Sequence, residues 1–87
     1  MKTLADFKRA LSLGSVWEGW HLQSGTSLGV REVCKVMYDG VRFKLADGRE
    51  STMDFPKATG IRFDDEGYVY LKRQSDHMEI LKYKLVK

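Results

Sequence analysis

His21, His77 and Cys34 are the side chains most able to ligate a metal or attack a substrate, and the chain has no others of their kind. A zinc centre takes three or four such groups converging on one point. The two histidines stand far apart, neither has a second ligand at metal spacing, and Cys34 has no CxxC partner. A Cys–His pair could form only if the strands carrying His21 and Cys34 are neighbours in the right register. Cys34 lies in an apolar stretch, where burial raises a thiol's pKa and leaves it inert. Neither a GxSxG elbow, a phosphate-cradling Gly-rich loop nor a dinucleotide fingerprint occurs. Asp54 with the Asp64-Asp65-Glu66 run could supply paired carboxylates, but three consecutive acids in a turn read as a solvated loop. The chemistry-bearing residues therefore point to no catalytic site, no cofactor and no metal, and to a protein that is not an enzyme.

Candidates for binding are more numerous. From Val16 the apolar period is two, which places Val16, Trp20 and Leu22 on one face of a strand and Trp17, Gly19 and His21 on the other. With Val16, Trp20 and Leu22 read as core-facing, Trp17 is an exposed anchor unless a helix covers it. The segment from Asp54 to Gly60 carries the only proline and could present Lys57 beside Arg31 and Arg62, although proline and glycine also do ordinary turn work. Trp17, His21, Arg31, Pro56, Lys57 and Arg62 are thus the candidates for a protein partner. A second set interleaves cations and rings: Arg42, Lys44, Tyr68, Tyr70, Lys72, Lys82 and Lys84. Such a set on a curved sheet suits single-stranded nucleic acid, with phosphates on the cations and bases on the rings. Outer-face lysines also guard strand edges, and tyrosines are ordinary strand formers.

Elements that position these residues can be read from period and punctuation. Residues 3–13 read as one helix, with Thr3 and Asp6 in capping-box positions, Leu4, Phe7 and Leu11 on one stripe and Gly14 as the stop. At about three turns such a helix is marginal alone and must dock its stripe. Residues 16–86 read as an antiparallel β-meander, cut by Asp39-Gly40, Asp47-Gly48, Glu66-Gly67 and Ser75-Asp76. Residues 28–38 form a long second strand whose phase breaks, predicting a bulge or bend near Arg31-Glu32. Val41, Phe43 and Leu45 alternate cleanly; so do Ser51, Met53 and Phe55 before Pro56 ends that strand. A short strand at 60–63 precedes a hairpin of residues 67–73 and 78–86 turning through Gln74–His77, with Val69, Leu71, Leu81, Tyr83 and Leu85 inward. The expected fold is mainly β with one N-terminal helix: a strongly bent antiparallel meander, SH3-like or OB-like, with the helix plugging one end. The alternative is a two-layer α+β arrangement with the helix on the sheet.

Eighty-seven residues make one domain, 1–87, with a thin core. A single cysteine cannot form an internal disulfide, no apolar run approaches a membrane span, and the N-terminus lacks a signal-peptide core. A cytoplasmic protein with no membrane partner is expected. Residues 68–87 hold five cations against two anions, so the whole net charge of +3 lies there. A strongly acidic DNA mimic is excluded by that sign.

The segments Thr3-Leu4-Ala5-Asp6-Phe7-Lys8-Arg9, Leu28-Gly29-Val30-Arg31-Glu32-Val33 and Asp54-Phe55-Pro56-Lys57-Ala58 resemble a group of short uncharacterised proteins encoded by bacteriophages and mobile elements. That group carries no established activity, so no site residue transfers. The resemblance implies an accessory protein of the host cytoplasm that binds a host or phage macromolecule, such as a host polymerase, nuclease or defence complex it would inhibit. Three functions follow as expectations: a protein-binding module first, a nucleic-acid-binding small barrel second, and a self-assembling structural subunit third.

Overall fold

Thr3 and Asp6 cap each other. The Thr3 hydroxyl accepts from the Asp6 N–H at 3.2 Å, and the Asp6 carboxylate accepts from the Thr3 and Lys2 N–H groups at 3.2 and 2.9 Å. The computed structural model, which describes residues 2–73 and 75–87, starts helix α1 at this box and runs it over Leu4–Ala10. It stops three residues short of the expected Leu13. The Ser12 carbonyl is taken by both the N–H and the hydroxyl of Ser15, and the Gly14 N–H by the Val33 carbonyl, so the sheet recruits the groups another turn would use. The expected stripe survives: Phe7 and Leu11 are buried and Leu4 packs against them.

Among the described residues seven strands follow, β1 Val16–His21, β2 Ser27–Val36, β3 Gly40–Leu45, β4 Glu50–Asp54, β5 Ile61–Phe63, β6 Tyr68–Lys72 and β7 Glu79–Leu85. All pair antiparallel in one sheet of order β4-β3-β2-β1-β7-β6-β5. Two meanders are therefore joined where the last strand returns beside the first, and the chain crosses between the sheet's two edges only at Phe55–Gly60. The sheet curls into a half-barrel, with β4 and β5 as its edges. Gly48 and Gly67 both have φ of +90°, the backbone their turns demand and that side-chain-bearing residues resist. The β6–β7 turn is closed by the Arg73 N–H on the Met78 carbonyl at 2.8 Å; Gln74, in the expected Gln74–His77 connection, lies outside the described residues. No helix among the described residues is long and apolar enough to cross a membrane.

β3, β4, β6 and β7 turn the expected faces inward, with Val41, Phe43, Val69, Leu71 and Tyr83 buried and Met53 and Leu81 partly so, but Leu85, expected inward at the end of β7, is exposed. β1 is inverted. Trp17 is fully buried, its ring edge-on to Phe7 at 5.6 Å and its indole N–H donating to the Ser15 hydroxyl at 3.0 Å, so it is no surface anchor. Trp20 faces outward instead. The cause is Glu18, which shares the Trp20 face and cannot be buried unpaired, whereas Gly19 on the Trp17 face admits the Tyr83 ring. β2 also differs from expectation: it has two bulges, at Leu28 and at Cys34, rather than one at Arg31-Glu32. Between them Arg31 and Val33 point inward.

Five carboxylates are held below their ordinary pKa by hydrogen bonds across turns and strands. The Lys2 N–H acts on Asp6, the Arg49 N–H on Asp47 and the Arg62 guanidinium on Glu79. At Asp64 desolvation pushes upward but the N–H of Tyr68 and the hydroxyl of Tyr70 outweigh it, and Arg73 brings Asp76 down to about 2. Because these groups are more acidic folded than unfolded, the unfolded chain binds more protons as acid is added. Their stabilisation is complete above the ordinary carboxylate range and is lost as pH falls from about 4 towards about 2. The urea midpoint is expected to be level near neutrality and to drop across that window; a midpoint unchanged through it would contradict this account.

Candidate functional site

On the outer face of the half-barrel, register aligns four residues from four strands. Trp20 of β1 lies opposite Lys82 of β7, Lys82 opposite Tyr70 of β6, and Tyr70 opposite Arg62 of β5. Ring and cation alternate along this row, roughly 14 Å long at the usual strand spacing of about 4.8 Å. A second row sets Tyr68 opposite Lys84 and Lys84 opposite Glu18. Directly opposed antiparallel residues have side chains in reach, so the register itself builds the contacts.

The contacts are close. Lys82 Nζ lies 5.3 Å from the Trp20 ring and 4.6 Å from that of Tyr68, and Lys84 Nζ lies 5.0 Å from Tyr68. The Arg62 guanidinium covers Tyr70 at 4.0 Å. Trp20 meets Tyr68 edge-on at 5.7 Å, and Tyr68 meets Tyr70 at 6.5 Å. Cations this near a ring face are attracted by its quadrupole. Among the described residues Lys82 and Lys84 make no ion pair, while Arg62 is clamped by Glu79 at 2.6 and 3.0 Å. Asp64 anchors the far end, accepting from the Tyr70 hydroxyl at 2.9 Å and from the Tyr68 and Glu66 N–H groups at 2.9 and 3.0 Å. Donating that hydrogen bond raises the Tyr70 pKa and keeps the phenol protonated. The face thus combines rings in fixed orientation with two unpaired ammonium groups.

Of the residues expected to meet nucleic acid, Tyr68, Tyr70, Lys82 and Lys84 come together here, while Lys72 stands beyond the row, opposite Glu79 in register. Arg42 and Lys44 share the outer face but sit on β3, with β2 and β1 intervening before β7. There Arg42 approaches Glu50 at 3.8 Å, and Lys44 stands opposite Glu32 and Glu50 in register. Two residues complete the row from outside that set: Trp20, read from sequence as core, and Arg62, read as a protein contact. Glu18 was the available signal for Trp20, since a carboxylate two residues away on the same face marks that face as solvent-facing.

The protein-binding candidates do not converge. Trp17 and Arg31 are buried in the barrel. Arg31 was expected near Lys57 on the surface; its guanidinium instead lies 5.6 and 5.9 Å from the Phe43 and Tyr83 rings and donates to the Leu28 carbonyl at 3.0 Å. Arg31 fits inside because Gly19 and Gly29, opposite each other on the inner face, leave that row without side chains on β1 and β2. His21 is half-buried at the end of β1, Pro56 and Lys57 stand in the crossing between edges, and Arg62 belongs to the outer row.

The remaining chemistry stays dispersed. β1 and β2 are neighbours, but their register places His21 beyond the Trp20–Ser27 pair and Cys34 beyond the Val16–Glu32 pair, at opposite ends. Cys34 Sγ instead faces the Arg42 carbonyl at 3.4 Å. Asp54 and Asp64 lie at opposite edges of the sheet order. No three His, Cys, Asp or Glu side chains converge as a metal site among the described residues. No family model, curated protein or solved structure matches the chain.

Proposed function

We propose that the protein is a non-enzymatic binding module that holds single-stranded nucleic acid on the outer face of β1, β7, β6 and β5. The observation that carries this reading is the alternating row Trp20–Lys82–Tyr70–Arg62, flanked by Tyr68 and Lys84. Unstacked bases lie on rings regardless of sequence, and ammonium groups between the rings meet the intervening phosphates. Placing Lys82 and Lys84 against phosphate gives a salt slope near −1.4, or about a sevenfold loss of affinity between 50 and 200 mM salt. Trp20→Ala removes one stacking platform and is expected to weaken binding about tenfold. Fluorescence anisotropy with a labelled oligonucleotide, single-stranded and duplex, measures both. A paired duplex hides its base faces and is expected to bind more weakly. No binding of single strands at about 50 mM salt would end this reading.

A protein partner is the second reading, favoured by one observation: Val36 and the fully exposed Tyr38 present apolar surface at the β2–β3 hairpin. It predicts that Tyr38→Ser, and not Trp20→Ala, abolishes partner capture.

A further inference from the structure

Between the Pro56–Gly60 crossing and the β6–β7 hairpin lies a cleft of about 390 Å³, within the range of small-ligand sites. Its floor is apolar, formed by Met53 and Phe55 from one edge of the sheet and by Leu71, Ile80 and Leu81 from β6 and β7, with Pro56 as a wall. Its mouth is basic. Lys57, Lys72, Arg73 and His77 line it against Asp54 as the single carboxylate among the lining residues. Arg73 is neutralised by Asp76 at 2.7 and 3.1 Å, whereas Lys57 and Lys72 make no ion pair among the described residues. His77 holds its ring there from a backbone with φ of 57°, a conformation better suited to glycine.

We propose that this cleft binds a small amphipathic anion: a carboxylate carried on an aliphatic chain or a compact aromatic body. The two halves of the site select that class together. A purely apolar ligand would cover the mouth and strip water from two ammonium groups without replacing it. A hydrophilic anion would leave five apolar side chains wet, and an amphipathic cation would meet like charge at the mouth. The site is separate from the outer row in its decisive residues, because Lys57, Gly60 and the floor take no part in that row.

Dodecanoate is the probe, with dodecyltrimethylammonium as the same chain under the opposite charge, each followed by methyl and amide NMR shifts of the whole protein. Saturable shifts at Leu71, Ile80 and Leu81 are expected with dodecanoate, and binding at least about tenfold weaker with the cation. Lys57 is exposed, so Lys57→Glu should leave the spectrum folded and weaken dodecanoate about tenfold. Gly60→Leu is expected to obstruct the cleft: the backbone has room for a Cβ, whose one neighbour within 4 Å is the Pro56 Cβ at 3.8 Å. Equal affinity for the two probes, shifts confined to the outer face, or no saturation by about 1 mM would overturn the proposal. So would full dodecanoate affinity in Gly60→Leu. None of these outcomes bears on oligonucleotide binding, and loss of oligonucleotide binding in Trp20→Ala leaves this site untouched.

Discussion

Trp17→Ala is expected to lose about 3–5 kcal/mol of stability, enough to leave little of the native state at room temperature. A domain of this length holds roughly 4–13 kcal/mol in total, and one with a thin core sits towards the low end. Trp17 is the largest of the fully buried side chains. It stands between Leu85 and Arg31 in register, carries the edge of Phe7 at 5.6 Å, and satisfies its indole N–H on Ser15. Alanine removes the ring against which the stripe of α1 docks, and a helix of seven residues does not persist undocked. Trp20→Ala provides the contrast. Trp20 is only partly buried, and its ring contacts are with Tyr68 and Lys82 on the outer face, so its loss costs about 1 kcal/mol. Urea unfolding of both variants, followed by circular dichroism, separates the two tryptophans. Equal losses, or a Trp17→Ala loss below about 1 kcal/mol, would mean that the helix is not held by this ring.

What could be read in the sequence was whatever is decided locally. The capping box is decided within four residues, the Gly48 and Gly67 turns within two, and the β3, β4 and β6 alternations by their own side chains. β1 was misread because both its faces carry a tryptophan; only the cost of burying Glu18, and the Tyr83 ring coming from the far end of the chain, choose between them. β2 was misread because each bulge shifts the phase by one residue, and neither Leu28 nor Cys34 announces itself as an extra residue. The candidate site was half legible. Tyr68, Tyr70, Lys82 and Lys84 belong to one hairpin whose alternation is plain. Trp20 and Arg62 join them only through the β1–β7 and β5–β6 pairings, and the first of these connects strands more than sixty residues apart. Arg42 and Lys44 have the right residue types on the right face, but the strand order sets them two strands away.

Gly19→Ala is expected to cost about 1–3 kcal/mol by overpacking, a large effect for one methyl group. A Cβ at Gly19 would fall 2.6 Å from Cε1 of Tyr83 and 2.9 Å from its Cδ1. The ring has little room to retreat. Tyr83 is 4% exposed, lies stacked with Phe43 at 6.1 Å and 16°, and has the Arg31 guanidinium beside it. Phe43 belongs to β3 and Tyr83 to β7, so this stack spans the inside of the barrel, and the bare Gly19–Gly29 row lets the sheet bend far enough for the rings to meet. Pushing the Tyr83 ring off Gly19 and against Phe43 therefore opens the curl and moves β1 against β7. The same two strands carry Trp20 and Lys82 on the outer face, so under the function proposed above Gly19→Ala also weakens oligonucleotide binding without touching that face. A double-mutant cycle isolates the cause. In a Tyr83→Leu background the methyl group meets a smaller side chain, and the cost of Gly19→Ala should shrink by about 1 kcal/mol or more. Additive losses would show that Gly19 is needed for its backbone and not for the ring, and the barrel's curvature would then have to be set elsewhere.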